Sequence, residues 1–102
     1  MIEILSLRTK LPSKPYDVHI DRRSVLGNPY HVKSDVTRAQ ACDKYDRYFK
    51  LRMGSMVPEN LKFKKEVSRL AAIYKEHGKL RLFCWCVPDR CHGETIKKHL
   101  EV

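Results

Sequence analysis

A buried strand that runs straight into a cysteine-rich turn dominates this chain. Lys79 to Cys86 is almost unbroken apolar sequence, carried by Leu80, Leu82, Phe83 and Trp85. Val87-Pro88-Asp89-Arg90-Cys91-His92-Gly93-Glu94 follows at once. An apolar run of this length, bounded by Gly78 and Pro88, reads as a buried strand. Such a strand needs sheet neighbours and helices packed against it. Three of the four cysteines fall within eight residues here, so any chemistry is expected here too.

The remaining elements can be placed around that strand. Ile2 to Arg8 alternates apolar and polar residues, and so does Tyr16-Asp17-Val18-His19-Ile20, with Tyr16, Val18 and Ile20 on one face. The prolines of Lys10-Leu11-Pro12-Ser13-Lys14-Pro15 mark a turn between the two strands. Leu26-Gly27-Asn28-Pro29-Tyr30 is loop material of the kind that lines pockets. With Ser34 or Asp35 as cap, Val36 to about Met53 forms a helix with a stripe of Ala41, Cys42, Tyr45, Tyr48 and Phe49. A second helix runs from Pro58 or Glu59 to about His77, with Phe63, Val67, Leu70, Ala71 and Tyr74 on its stripe and Gly78 as C-cap. A short third helix covers Glu94 to about Leu100.

The expectation is a single α/β domain over residues 1–102. It has a three-stranded sheet, mixed in direction or not, and about three helices in the order β-β-α-α-β-α. The long crossover between the second and third strands fits a parallel pair. The N-terminal residues do not read as a signal peptide, and no apolar stretch is long enough to span a bilayer. A cytoplasmic setting is therefore expected, where thiols stay reduced and serve metal binding, reactivity or packing.

With 21 basic and 12 acidic residues the formal net charge is +9. That balance favours an anionic partner, such as a nucleotide, a phosphorylated ligand or nucleic acid. The cations are scattered along the chain, which equally suits a solvated basic surface.

Strand alternation puts Cys84 and Cys86 on one face and Trp85 on the other, in the core. Cys91-His92-Gly93 then precedes a helix, whose unpaired N–H groups and positive potential favour an anion or a reactive thiolate. Three readings stand. Cys84, Cys86, Cys91 and His92 could ligate zinc, although the paired knuckles of usual zinc sites are missing and Cys42 lies on a helix's apolar stripe. Alternatively the turn is an anion or nucleotide pocket, with Cys91 or Cys84 as nucleophile, His92 as base, and Arg90, Gly93 and Glu94 at the ligand. Cys84 and Arg90 do have the spacing of the phosphate loop of cysteine phosphatases. Pro88 and Asp89, however, make a poor cradle. The third reading is structural: buried cysteines in a strand and a capped helix.

Four blocks carry a resemblance to a known family. They are a first strand ending in Arg8; Val18-His19-Ile20-Asp21-Arg22; Leu26-Gly27-Asn28-Pro29-Tyr30; and Cys84-Trp85-Cys86-Val87-Pro88-Asp89-Arg90-Cys91-His92-Gly93. Arg38 and Tyr45 fit as well. On these the chain resembles the family called domain of unknown function 4326, carried by many phages and bacteria. The resemblance implies a compact α/β domain and a phage origin, and supplies no activity. Asp21 stands where family members often have glycine, so this carboxylate is expected to pair with Arg22 or Arg23 or to tune the pocket.

If the second and third strands are parallel, Arg22 and Asn28 reach the cysteine turn and line one pocket with it. The function expected is binding of a nucleotide or other phosphate-bearing ligand. The alternative is a basic nucleic-acid-binding or host-protein-interacting module whose cluster is structural or zinc-bound. No helix-turn-helix, RNA-binding aromatic motif or standard zinc finger supports that alternative.

Overall fold

All five residues of β3 (Leu80–Cys84) are buried, because this strand lies in the middle of a sheet ordered β1-β3-β2. The computed structural model describes residues 1–30, 35–54, 57–85 and 90–101. β1 (Ile2–Ser6) and β2 (Asp17–His19) both pair with β3 in parallel. Ser6 sits opposite Cys84, and His19 opposite Phe83. The sheet is thus wholly parallel, not mixed. Main-chain bonds extend the ladder past both edge strands, from Leu7 N–H to the Cys84 carbonyl (2.9 Å) and from Ile20 N–H to the Phe83 carbonyl (3.0 Å). All three strands therefore end at the same edge.

Among the described residues, three α-helices complete the fold: α1 (Arg38–Gly54), α2 (Leu61–His77, entered through a 3-10 turn at Pro58–Asn60) and α3 (Gly93–Glu101). The element order is the one expected. α1 starts later than predicted, because its cap is Thr37. The Gln40 N–H bonds to the Thr37 hydroxyl (3.1 Å), and the Thr37 N–H bonds back to the Gln40 side chain (2.8 Å). This reciprocal capping box satisfies two N–H groups that would otherwise lack partners. Asp35 is not the cap, and Ser34 lies outside the described residues. Gly78 does end α2, in a left-handed conformation (φ 65°), with its N–H on the Tyr74 carbonyl.

Leu80, Leu82 and Cys84 join Ile2, Val18 and Ile20 on one sheet face. Against them pack Tyr45 and Phe49 of α1, Phe63, Val67 and Leu70 of α2, and Ile96 of α3. One continuous core thus serves all three helices. The radius of gyration, 13.3 Å, matches the roughly 13 Å expected of one folded body of this length.

The opposite face carries the alternate residues. Arg81 there makes a two-pronged ion pair with the fully buried Asp17 side chain, with Arg81 Nη2 2.7 Å from Asp17 Oδ2. Its guanidinium lies 5.4 Å from the Tyr16 ring centre and 5.6 Å from that of Phe83. Tyr16 precedes β2 and stands over Arg81, so it does not share the Val18 face as the alternation suggested.

Among the described residues no helix is long and apolar enough to cross a membrane.

Candidate functional site

The shared strand edge opens into a cavity of about 630 Å³. Each chain segment that leaves the edge contributes to it. Arg8 comes from the turn after β1, and Asp21, Arg22 and Arg23 from the turn after β2. Cys84 and Trp85 come from the end of β3, Arg90 and His92 from the approach to α3, and Arg38, Ala41 and Cys42 from the start of α1. Asn28 and Tyr30 line it from the glycine-proline loop. Among the described lining residues, five guanidinium groups face one carboxylate.

That carboxylate, Asp21, is buried and holds the site's rim together. Its Oδ2 accepts from Trp85 Nε1 at 3.1 Å and lies 3.3 Å from Arg23 Nε. The other oxygen takes the Arg23 backbone N–H (3.3 Å), with His19 Nδ1 3.8 Å away. The expected pairing of Asp21 with a neighbouring arginine is thus made with Arg23. Gly27 packs directly beneath. A Cβ on it would stand 2.6 Å from the Asp21 carbonyl oxygen and 2.9 Å from the Arg22 Cα. Glycine is needed here because the loop backbone touches the β2 turn.

Asn28 is a scaffold residue as well as a wall. Its side-chain oxygen accepts the Tyr30 N–H (2.8 Å), and its amide donates to the Ala41 carbonyl of α1 (3.3 Å). Tyr45 fixes the same loop from below, through a hydroxyl bond to the Leu26 carbonyl at 2.7 Å. Burial, then the nearby Tyr48 and Cys91, push the Tyr45 hydroxyl well above the usual tyrosine range. Arg90 is anchored to α1, donating to Asp43 (2.8 Å) and to the Ala39 carbonyl (3.3 Å). Its bond to Asp43 raises the guanidinium further, so it stays charged.

Behind the arginines lies a buried sulfur-imidazole group. His92 Nε2 is 2.7 Å from the Ile20 carbonyl, which can only accept, so Nε2 carries the proton. In the neutral ring, Nδ1 then presents a lone pair toward Cys91 Sγ, 3.7 Å away. The Gly93 N–H also points at that sulfur (3.3 Å), and Cys84 Sγ lies 2.8 Å from it. Two thiolates on one tetrahedral zinc, each about 2.3 Å from the ion, stand about 3.8 Å apart. As placed, the Cys84–Cys91 pair is too close for that role. Among the described residues no group of three or more Cys, His, Asp or Glu side chains is disposed to hold a metal. Cys86 lies outside the described residues.

Of the sequence-predicted site residues, Arg22, Asn28, Cys84, Arg90 and His92 meet at the cavity. Cys91 and Glu94 line a smaller cavity of about 330 Å³ beside Asp43, Asp46, Arg47 and Lys98. Gly93 lines neither cavity; its missing side chain makes room for Ile20, whose Cδ1 would lie 2.7 Å from an added Cβ. Trp85 is the clear correction. It is 45% exposed at the cavity, not in the core, because the helices cover the Cys84 face of the sheet and Trp85 follows just past the end of β3.

Arg23, Arg38 and Tyr30 were not foreseen at the site. Arg38 did leave a signal, standing three and four residues before Ala41 and Cys42 and so on their helix face.

Residues 5–102 match the family profile described as Domain of unknown function (DUF4326). No curated protein and no solved structure matches the chain.

Proposed function

The chain belongs to the family called domain of unknown function 4326, and from its arginine-walled cavity we propose that it binds a nucleotide or a closely related phosphate-bearing ligand. The convergence of Arg8, Arg22, Arg23, Arg38 and Arg90 carries this reading. Guanidinium forks match phosphate oxygens in charge and geometry. Open α/β sheets bind ligands at the carboxyl ends of their strands, and about 630 Å³ is a usual size for a small-molecule site. Trp85 and Tyr30 favour a nucleotide over bare phosphate, because an aromatic face at the wall of a basic cavity can stack a base. Trp85 is held in place by its Asp21 bond.

Trp85 is also the chain's one tryptophan, so its fluorescence reports on this site. Titration with purine and pyrimidine triphosphates at low salt is expected to change the emission saturably. Inorganic pyrophosphate is expected to compete, and added salt to weaken binding. If calorimetry detects neither triphosphate nor pyrophosphate at millimolar concentration, the reading fails. Salt-sensitive retention of single-stranded nucleic acid that mononucleotides cannot displace would favour the basic-module alternative instead.

A further inference from the structure

We propose that Cys84 and Cys91 form a reversible thiol–disulfide couple, oxidised by small hydroperoxides. The two sulfurs lie 2.8 Å apart, inside ordinary non-bonded contact, which is about 3.5–4 Å even between carbon atoms. Both residues are buried, so the fold and not chance encounter holds them together. Cys84 is fixed by its place at the end of the central strand, where its carbonyl receives the Leu7 N–H. Cys91 is fixed by the start of α3, where the Gly93 N–H points at its sulfur.

The surroundings give the two sulfurs different tasks. Cys84 borders the large cavity, from which a small oxidant can reach it. Cys91 borders the smaller cavity, with the His92 Nδ1 lone pair 3.7 Å from its sulfur. The Cys42 thiol lies 3.5 Å from the Arg90 carbonyl.

The chemistry balances as follows. The Cys84 sulfur attacks one oxygen of hydrogen peroxide and the O–O bond breaks. The departing hydroxide takes the Cys84 proton and leaves as water, and Cys84 becomes a sulfenic acid. Cys91 gives its proton to His92 Nδ1, and its thiolate attacks the Cys84 sulfur. The S–O bond breaks, the hydroxide takes the proton back from His92, and a second water leaves. The protein dithiol loses two electrons and two protons, and the peroxide is reduced to two waters. A small dithiol then reduces the protein disulfide by exchange through a mixed disulfide and is itself oxidised to a disulfide.

None of this depends on what occupies the arginine cavity. The test uses the full chain, reduced and then exposed to a modest excess of hydrogen peroxide. Thiols titrated in denaturant should fall from four to two and return to four with dithiothreitol. Trypsin cuts after Arg81, Arg90 and Lys97, which places Cys84 on the peptide 82–90 and Cys91 on the peptide 91–97. The oxidised sample should therefore yield these two peptides cross-linked. The cross-link should persist in Cys86→Ser and vanish in Cys84→Ser and Cys91→Ser, with circular dichroism confirming that each variant is folded.

A cross-link that persists in Cys84→Ser and is lost in Cys86→Ser would assign the partner of Cys91 to Cys86 and overturn the proposal. So would peroxide treatment that leaves four thiols, over-oxidation of Cys84 without a cross-link, or release of stoichiometric zinc.

Discussion

Gly27 and Tyr45 show how single atoms set the shape of the cavity rim. At Gly27 the obstacle to a side chain is backbone, the Asp21 carbonyl and the Arg22 Cα, which cannot swing aside. Gly27→Ala should destabilise the protein by about 1–3 kcal/mol in urea denaturation, the usual range for overpacking. It should also weaken pyrophosphate binding, because it pushes on Asp21 to Arg23. Gly54→Ala is the control. A Cβ there meets nothing within 4 Å, so stability should hold or rise by up to about 1 kcal/mol. Tyr45→Phe keeps the ring and removes only the hydroxyl. The Leu26 carbonyl loses that buried donor, and a cost of about 1–2 kcal/mol is expected by the same measurement. Trp85 was misread from sequence because alternation separates two faces without saying which one the helices cover, and they cover the Cys84 face.

Among the strands, β2 is the shortest, three residues at the sheet edge, and a side-chain pair reinforces it. Burial alone would raise the Asp17 carboxyl. The Arg81 guanidinium and the Ser13 and Lys14 N–H groups outweigh that and hold it well below the usual carboxylate range. The folded state therefore binds this proton more weakly than the unfolded chain does. The resulting stability is fully present above the ordinary carboxylate value, near 4, and drains away as the pH falls below it. Urea midpoints at pH 7 and pH 3 test this. Wild type should lose more stability between the two than Asp17→Asn, which is less stable at pH 7 and less sensitive to acid. Helices were the most legible elements, since Gly78 marked the end of α2 to the residue and Phe63, Val67 and Leu70 its buried stripe, while its expected start at Pro58 or Glu59 proved to be a 3-10 turn before Leu61. α1 was legible in its body and not at its start, where the Thr37–Gln40 pair makes the cap in place of Asp35.

For the whole molecule, the decisive fact is that both edge strands run parallel to β3. The pairing of β1 with β3 joins residues almost eighty apart, and no local pattern announces it. Once made, it gathers cations that looked scattered in sequence, from Arg8 to Arg90, around one opening. This is why the cysteine turn stood out in the sequence as a candidate while the arginine wall did not. Arg8→Gln and Arg38→Gln should each lower pyrophosphate affinity and flatten its dependence on salt, measured by calorimetry. A surface lysine change on α2, such as Lys65→Gln, should do neither.

Because the wall is assembled from four separate segments of chain, it does not exist in the unfolded protein. Any anion that settles there is linked to the folding equilibrium itself. At one hundred times its dissociation constant such an anion would add about 2.7 kcal/mol to global stability. For a domain of this size, that makes the melting curve a detector: a ligand can be found by its effect on unfolding before any reaction is known.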